Sequence, residues 1–393
     1  MGHGVELLAA LNLRTLPEQL ANGIFLGAIY ALIALGYTMV YGILRLINFA
    51  HGEVYMLGAY VSLFASRMLG FGPTSNKTDS SVVNLLIMLT ASMIVCACVG
   101  VIIERFAYRP MRAHSRIASL ITAIGVSLLL QYGGALFLPS SPPPSINEKV
   151  IPPVYRESSR IVLQAPPAEL QRDLDSTQTI YLDAKKKYDF YMSTHQGVGE
   201  FDLAPDGQAL HDKYKASLAP FNAAQAKADE RSVVITVRHA DIIILVTSVV
   251  LMGVLTYLVM FTKSGRAMRA VSHDFDSAAL MGVNVNNTIT FTFVLGSALA
   301  GAGSMMQATL KGPPLTTFFG FTPGVKAFVA AVLGGIGNIP GAVLGGLLMG
   351  VAEDFVIWLG YSNYSDAIAF VILIIVLLFR PGGILGSSKV EKV

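Results

Sequence analysis

Four polar residues embedded in apolar sequence raise the first chemical question. Arg45, Asn48, His51 and Glu53 fall within ILRLINFAHGEVYMLGAY, between two apolar runs. Lipid-exposed polar side chains are costly, so this stretch must line protein, water or the interface. Two readings are open. In one, the stretch is an interfacial loop whose His51 and Glu53 cap the next helix. In the other, it is a loop with a broken helix entry, where Asn48 frees backbone groups that a cavity could use. One His and one Glu supply too few ligands for a metal centre. A second acidic pair, Glu353 and Asp354, falls late in an apolar segment. Acids inside a membrane point to ion coupling, whereas acids at the outer rim do not, and both placements are open. Gly334, Gly335, Gly337 and Gly341 surround Pro340. No Lys-Ser/Thr follows them, so this is not a nucleotide-binding P-loop. A tight turn or half-helix between close backbones fits better. Cys96 and Cys98, two apart on a helix, face different ways and form neither a disulfide nor a metal pair.

The elements that position these residues follow from composition. The chain has 393 residues, 53% hydrophobic and 13% charged, with a mean hydropathy of +0.58. Several runs reach the ~20 apolar residues that a bilayer core needs. This predicts an all-α polytopic membrane protein and excludes an outer-membrane barrel, whose strands alternate. Spans are expected at Asn22–Leu44, Val54–Leu69, Val82–Ile103, Ile117–Leu138, Ala240–Phe261 and Thr288–Leu310. A seventh starts near Val325, an eighth carries Glu353, and the last is Ala367–Phe379, making eight to nine transmembrane helices. Arg105, Arg109, Arg112 and Arg116 form a basic loop, which the positive-inside rule places in the cytoplasm together with the C-terminus. Lipid orientation accounts for these arginines, and no nucleic acid is needed. The side of the N-terminus depends on whether Asn48–His51 is a true loop. No cleaved signal is apparent at the start, and Leu7, Leu8 and Leu11 fit a short interfacial helix.

Three regions result: transmembrane helices over 1–138, an insert over 139–239, and transmembrane helices over 240–393. The insert opens with a proline-rich lead-in. Leu170, Leu174, Thr177, Tyr181, Ala184, Tyr188 and Tyr191 then step by four and three, and Leu203 to Ala228 follows the same rhythm. This pattern predicts an extracytoplasmic helical hairpin, with Pro220 kinking or restarting its second arm; a disordered loop is the competing reading. The third region contains a polar loop, 262–287, with Lys263, Arg266 and Arg269 at its start. A short helix fits inside it. Ser272 or Asp274 can cap its start and Gly282 can end it, with Phe275, Ala278, Ala279 and Gly282 on one face. So short a helix must dock, either on its own bundle or on a cytoplasmic partner.

Five blocks in order resemble a known family: Tyr30–Tyr60, Ile103–Arg112, Gly265–Asn284, Lys326–Glu353 and the PGGILG tail. They look like the LivH-type permease of branched-chain amino acid ABC importers, over nearly everything outside Pro139–His239. The resemblance implies a non-enzymatic transport subunit in a bacterial inner membrane, with the insert periplasmic. It implies a LivM-like second permease, LivG/LivF-like ATPases and a periplasmic binding protein as partners. The chain itself would bind no cofactor, and ATP would be used by the ATPases. Gly265, Arg266, Ala267, Arg269, Ala270, Asp274, Ala278 and Gly282 match the coupling loop that sits in an ATPase groove. Asn48, His51, Glu53 and Glu353 are the candidates for the translocation path or gate. Ser272, His273 and Asp276 depart from the expected charge order, and the insert is larger than is typical of the family. Its substrates include Leu, Ile and Val, while relatives move other neutral amino acids, amides or urea. The rivals are an ion-coupled secondary transporter using Glu53, Glu353 or Asp354, and a membrane receptor sensing through the hairpin.

Overall fold

The structure is a computed structural model and describes residues 13–72, 77, 80–112, 114–139, 141–194 and 203–386. The expected helix at Leu7–Leu11 and most of the turn between the hairpin arms lie outside these residues. The described chain is largely helical, as expected for a polytopic membrane protein, and six of its helices are long and apolar enough to cross a bilayer. It divides into two units. One is built from Gln19–Ser159 and the chain from Val237 on; the other holds Arg160–Thr236.

The larger unit begins with α1, Leu16–Leu44, whose middle is hydrophobic all round and buried all round, which makes it a central helix. Arg45 then takes a left-handed backbone (φ 54°), and α2 runs His51–Met68. This start corrects the interfacial-loop reading. His51 and Glu53 stand in the first turn of a buried helix and cap nothing, because the N-cap is Ala50 without a side-chain hydrogen bond. Next come α3, Val82–Ile103, capped by Ser81, and α4, Arg116–Phe137, capped by Ser115. The basic stretch between them is not the loop its charges imply. α3 continues through a π-helical turn, Glu104–Tyr108, into Arg109–Met111. Arg109 is held in the helix and Arg112 closes it, and both pair with the buried Glu104 carboxylate.

The smaller unit has α5, Ala168–Thr194, and α6, Pro205–Arg231. Their rings interleave: Tyr181 stacks on Phe221 at 4.7 Å and Tyr188 on Tyr214 at 5.5 Å. Pro220 neither restarts nor ends α6, which runs through it. Two strands escaped the helical periodicity, β1 at Ser158–Gln164 and β2 at Val233–Arg238, and they pair with each other. Their runs IVL and VVITV are rich in β-branched Ile, Val and Thr, which the pleated backbone favours.

The larger unit resumes with α7, His239–Phe261, followed by the polar helices α8, Lys263–His273, and α9, Phe275–Leu280. Four more follow: α10, Val285–Met306; α11, Phe321–Gly334; α12, Ile339–Trp358; and α13, Ala367–Phe379. The glycine run is a tight turn between α11 and α12. Gly335 and Gly337 take φ of +104° and +93°, and Asn338 caps α12 by accepting from Gly341 N at 3.1 Å.

Small residues let these helices touch backbone to backbone. A Cβ added at Gly27 would sit 2.7 Å from Leu347 Cα, and one at Gly350 would sit 2.5 Å from Gly27 Cα, so α1 and α12 tolerate no side chain between them. Gly253 on α7, by contrast, faces open space. Gly350→Val should therefore destabilise the purified protein by about 1–3 kcal/mol or more, the cost of overpacking. Gly253→Val should leave its thermal unfolding nearly unchanged, and equal melting of the two variants would contradict this packing.

Candidate functional site

The first-turn residues of α2 have distinct surroundings. Asn48, His51 and Glu53 are only 2%, 1% and 2% exposed. Asn48 lies in the connection from α1, where its Oδ1 accepts from Tyr108 OH at 3.0 Å. That bond ties the start of α2 to the extension of α3. His51 meets the Tyr37 ring edge-on at 4.7 Å, and its Nε2 has no hydrogen-bond partner. It lies so near Gly36 that a Cβ there would collide with the imidazole. Glu53 accepts from Ser127 Oγ at 3.1 Å through Oε1, while its Oε2 has no partner. A cleft of about 240 Å³ opens beside it, lined by Glu53, Ser127, Gln131, Tyr37, Phe49 and Phe328 among others. Of the sequence candidates near Asn48, only Glu53 lines that cleft.

Glu353 occupies a different place. It is buried, with Lys326 Nζ 2.7 Å from Oε1 and Tyr30 OH donating to Oε2 at 2.8 Å. Lys326 also reaches Asp366 Oδ1 at 2.5 Å. This cluster joins α1, α11, α12 and the start of α13. Sequence reasoning quoted Lys326 only inside a motif and gave it no role. The available signal was a single lysine in an otherwise apolar helix. Two further buried acids were also missed. Glu104 holds Arg109, Arg112 and Thr290, and Asp241 holds Lys311 at 2.7 Å and Arg238 at 2.9 Å.

The polar loop folds as an elbow of two helices rather than a single short one. Thr262 caps α8, its Oγ1 accepting from Gly265 N at 3.1 Å. Gly265 is required because a Cβ there would collide with Val259 O, and the Arg269 guanidinium donates to that same carbonyl. Arg266 and Ala270 face outward and Ala267 is half-buried. Asp274 caps α9 by accepting from Ser277 N at 2.7 Å. That N–H holds the Asp274 carboxyl below its ordinary range. Ser272 is not a cap: it sits within α8 and donates to Arg269 O. Ala278 is buried, and Gly282 stops α9 with φ +84°. The elbow is both docked and presented. Met268, Val271 and Ala278 pack inward, while Leu280 and Met281 are 88% and 85% exposed. A polar cleft of about 500 Å³ lies between the elbow, the Arg45–Leu46 connection, Arg112 and His114.

A family described as branched-chain amino acid transport system / permease component matches residues 19–377. The chain belongs to this family. A high-affinity branched-chain amino acid transport system permease protein, BraD of Pseudomonas aeruginosa, is 38% identical over 96% of this chain and 97% of its own. The LivH permease proteins of Salmonella typhimurium and Escherichia coli are 34% and 32% identical, again over 96% of this chain and 97% of theirs. No solved structure matches.

The permease family thus takes in every membrane helix described above, and the buried ion pairs are part of its bundle here. Removing one partner of a buried pair leaves an uncompensated charge, at a cost of about 3–5 kcal/mol. Lys326→Ala should lower stability by that order, while Lys326→Met with Glu353→Met should recover most of it. A double variant as unstable as the single one would show that the pair is not the cause. For the elbow, Asp274→Ala should raise hydrogen exchange of the α9 amides several-fold, and Asp274→Asn should do so less. Because the folded carboxyl is held low, its capping contribution is complete above the ordinary aspartate range. It is lost as pH falls through the lowered value. Exchange corrected for intrinsic rates should follow that order, and a loss near neutral pH would contradict it.

Proposed function

We propose that this chain is one of two membrane permeases of an ATP-driven importer for branched-chain or other neutral amino acids. It would supply half of the translocation path and no ATP site. Its partners would be a LivM-like permease, LivG/LivF-like ATPases and a periplasmic binding protein. The observation that carries the reading is the α8–α9 elbow, a polar lever fastened to α7 and tipped with exposed Leu280 and Met281. Exposed apolar residues on an otherwise polar projection fit a groove in a partner.

One end of the larger unit collects the basic connections. Arg45, Arg112, His114 and Ser272–Asp276 border one cleft, and Met268, Arg269 and Gly337 border the next. The positive-inside rule favours the cytoplasm for that end. α1–α4, α7 and α10–α13 then give nine alternating passes among the described residues. The N-terminus and the 139–239 insert would lie outside, with the C-terminus inside. α11 and α13, of 14 and 13 residues, are only about 21 and 20 Å long at 1.5 Å per residue, so each of these two passes is shorter than the bilayer core.

In this reading ATP binding closes the ATPase pair and pushes the elbow. The elbow shares its cleft with Arg45–Leu46, so the push reaches the start of α2. Hydrolysis resets it. The ion-coupled alternative loses one of its three acids, since Lys326 already neutralises Glu353.

The test is uptake in proteoliposomes holding the four-subunit complex and a loaded binding protein. ATP-dependent leucine uptake should survive an uncoupler, and a panel of neutral amino acids, amides and urea should define the cargo. Leu280→Asp with Met281→Asp should cut copurifying ATPase and uptake at least tenfold. Uptake without nucleotide, or undiminished assembly of that variant, would refute the reading.

A further inference from the structure

We infer that the Glu53 cleft is a binding site for a neutral amino acid within the membrane bundle, with the Glu53 carboxylate taking the α-ammonium group. The inference rests on the proposed importer function and gives that path a specific recognition site.

The first ground is an imbalance of charge. Glu104, Asp241 and Glu353 are buried acids of the larger unit, and each holds at least one Arg or Lys. Glu53 is as deeply buried, yet its one partner among the described residues is the Ser127 hydroxyl, and Oε2 bonds to nothing. A carboxyl buried in hydrocarbon without a basic partner either holds a proton or takes a cation when one arrives. A permease for zwitterions brings one with every cargo molecule.

The second ground is the shape and chemistry of the cleft. Its walls include Phe49, Ile124, Leu128 and Val325, which suit an aliphatic side chain. At about 240 Å³ it equals about eight times the ~30 Å³ share of one water, room for an amino acid of leucine's size.

The third ground is backbone polarity. The first turns of α2 and α11 meet here. A Cβ at Gly324 would lie 2.9 Å from Gly52 Cα, and one at Gly320 would strike Gly52 O. Gly36, which faces His51 at the start of α2, is eight residues or about 12 Å inside the end of α1, so these turns begin within the bundle. Two helix N-termini so placed carry partial positive charge suited to the carboxylate of the same cargo. Glu53, itself in the first turn of α2, and the start of α11 at Gly320–Gly324 thus offer a negative and a positive group to a zwitterion across one cleft. The elbow borders the same cleft as Arg45–Leu46, so a push on it in the ATP cycle can tighten or release that grip.

The experiment uses the assembled permease–ATPase complex in nanodiscs without binding protein, titrated calorimetrically with three probes. L-Leucine should bind. 4-Methylpentanoate, which lacks the ammonium group, should bind at least about tenfold more weakly, and 3-methylbutylamine should compete with leucine. Glu53→Gln should weaken leucine by a similar factor, and Leu128→Trp, which fills the cleft, should abolish binding. If Glu53→Gln does not assemble, the wild-type probe series decides alone. Equal binding of leucine and 4-methylpentanoate, or wild-type binding by Glu53→Gln, would overturn the proposal. If the complex still imports leucine in that case, the site alone is wrong. If no complex imports any neutral amino acid, the importer reading itself fails.

Discussion

A charge in hydrocarbon must have a partner, and much of this bundle is arranged around meeting that demand. Lys326 of α11 is pinned between Glu353 of α12 and Asp366 before α13, with Tyr30 of α1 closing the set. Glu104 gathers two arginines and Thr290, which fastens the extension of α3 to α10. Asp241 fastens the start of α7 to Lys311 beyond α10. Pairs of this kind add little net stability over apolar residues of equal volume, but they penalise any arrangement that separates the partners. They therefore fix which helices neighbour which. Against that background a carboxylate with an empty oxygen is a meaningful exception.

Close packing works alongside the charges. Gly23 and Gly27 admit the backbone of α12, and Gly301 of α10 lies where a Cβ would be 2.6 Å from Ser92 O of α3. The same economy of volume brings Gly52 against Gly320, so two helices start beside each other inside the bundle rather than at its surface. Helix starts leave backbone N–H groups unbonded, and in lipid these survive only where protein or a polar cavity receives them. Packing of small residues thus creates the polar microenvironment in which a solute can be held.

The elbow connects that interior to the outside world of the bundle. Its inner face, Met268, Val271 and Ala278, is seated on the helices, and Gly265 brings α8 hard against the end of α7. Its tip carries the apolar residues that a monomer in water would hide.

The sequence alone determined that this is a predominantly helical membrane protein, where its long apolar helices run, and which family it belongs to. Those features are local: twenty apolar residues, a glycine after a capped turn, an ordered set of motifs. Asp274 and Gly282 were legible as the bounds of α9 because capping involves neighbours a few residues apart. Tertiary structure decided what lay between distant segments. The basic stretch read as a loop, yet the helix runs through Arg109 to Met111 and Arg112 closes it, because Glu104 pairs with both arginines and accepts from Thr290 of α10. Glu353 read as a free intramembrane acid or a rim residue until Lys326, 27 positions away, was seen beside it. His51 and Glu53 looked alike in one dimension, but only Glu53 faces the cleft. Charge pairing and cavity formation depend on which helices are neighbours. That choice is made by packing across the whole bundle and leaves no trace in local spacing.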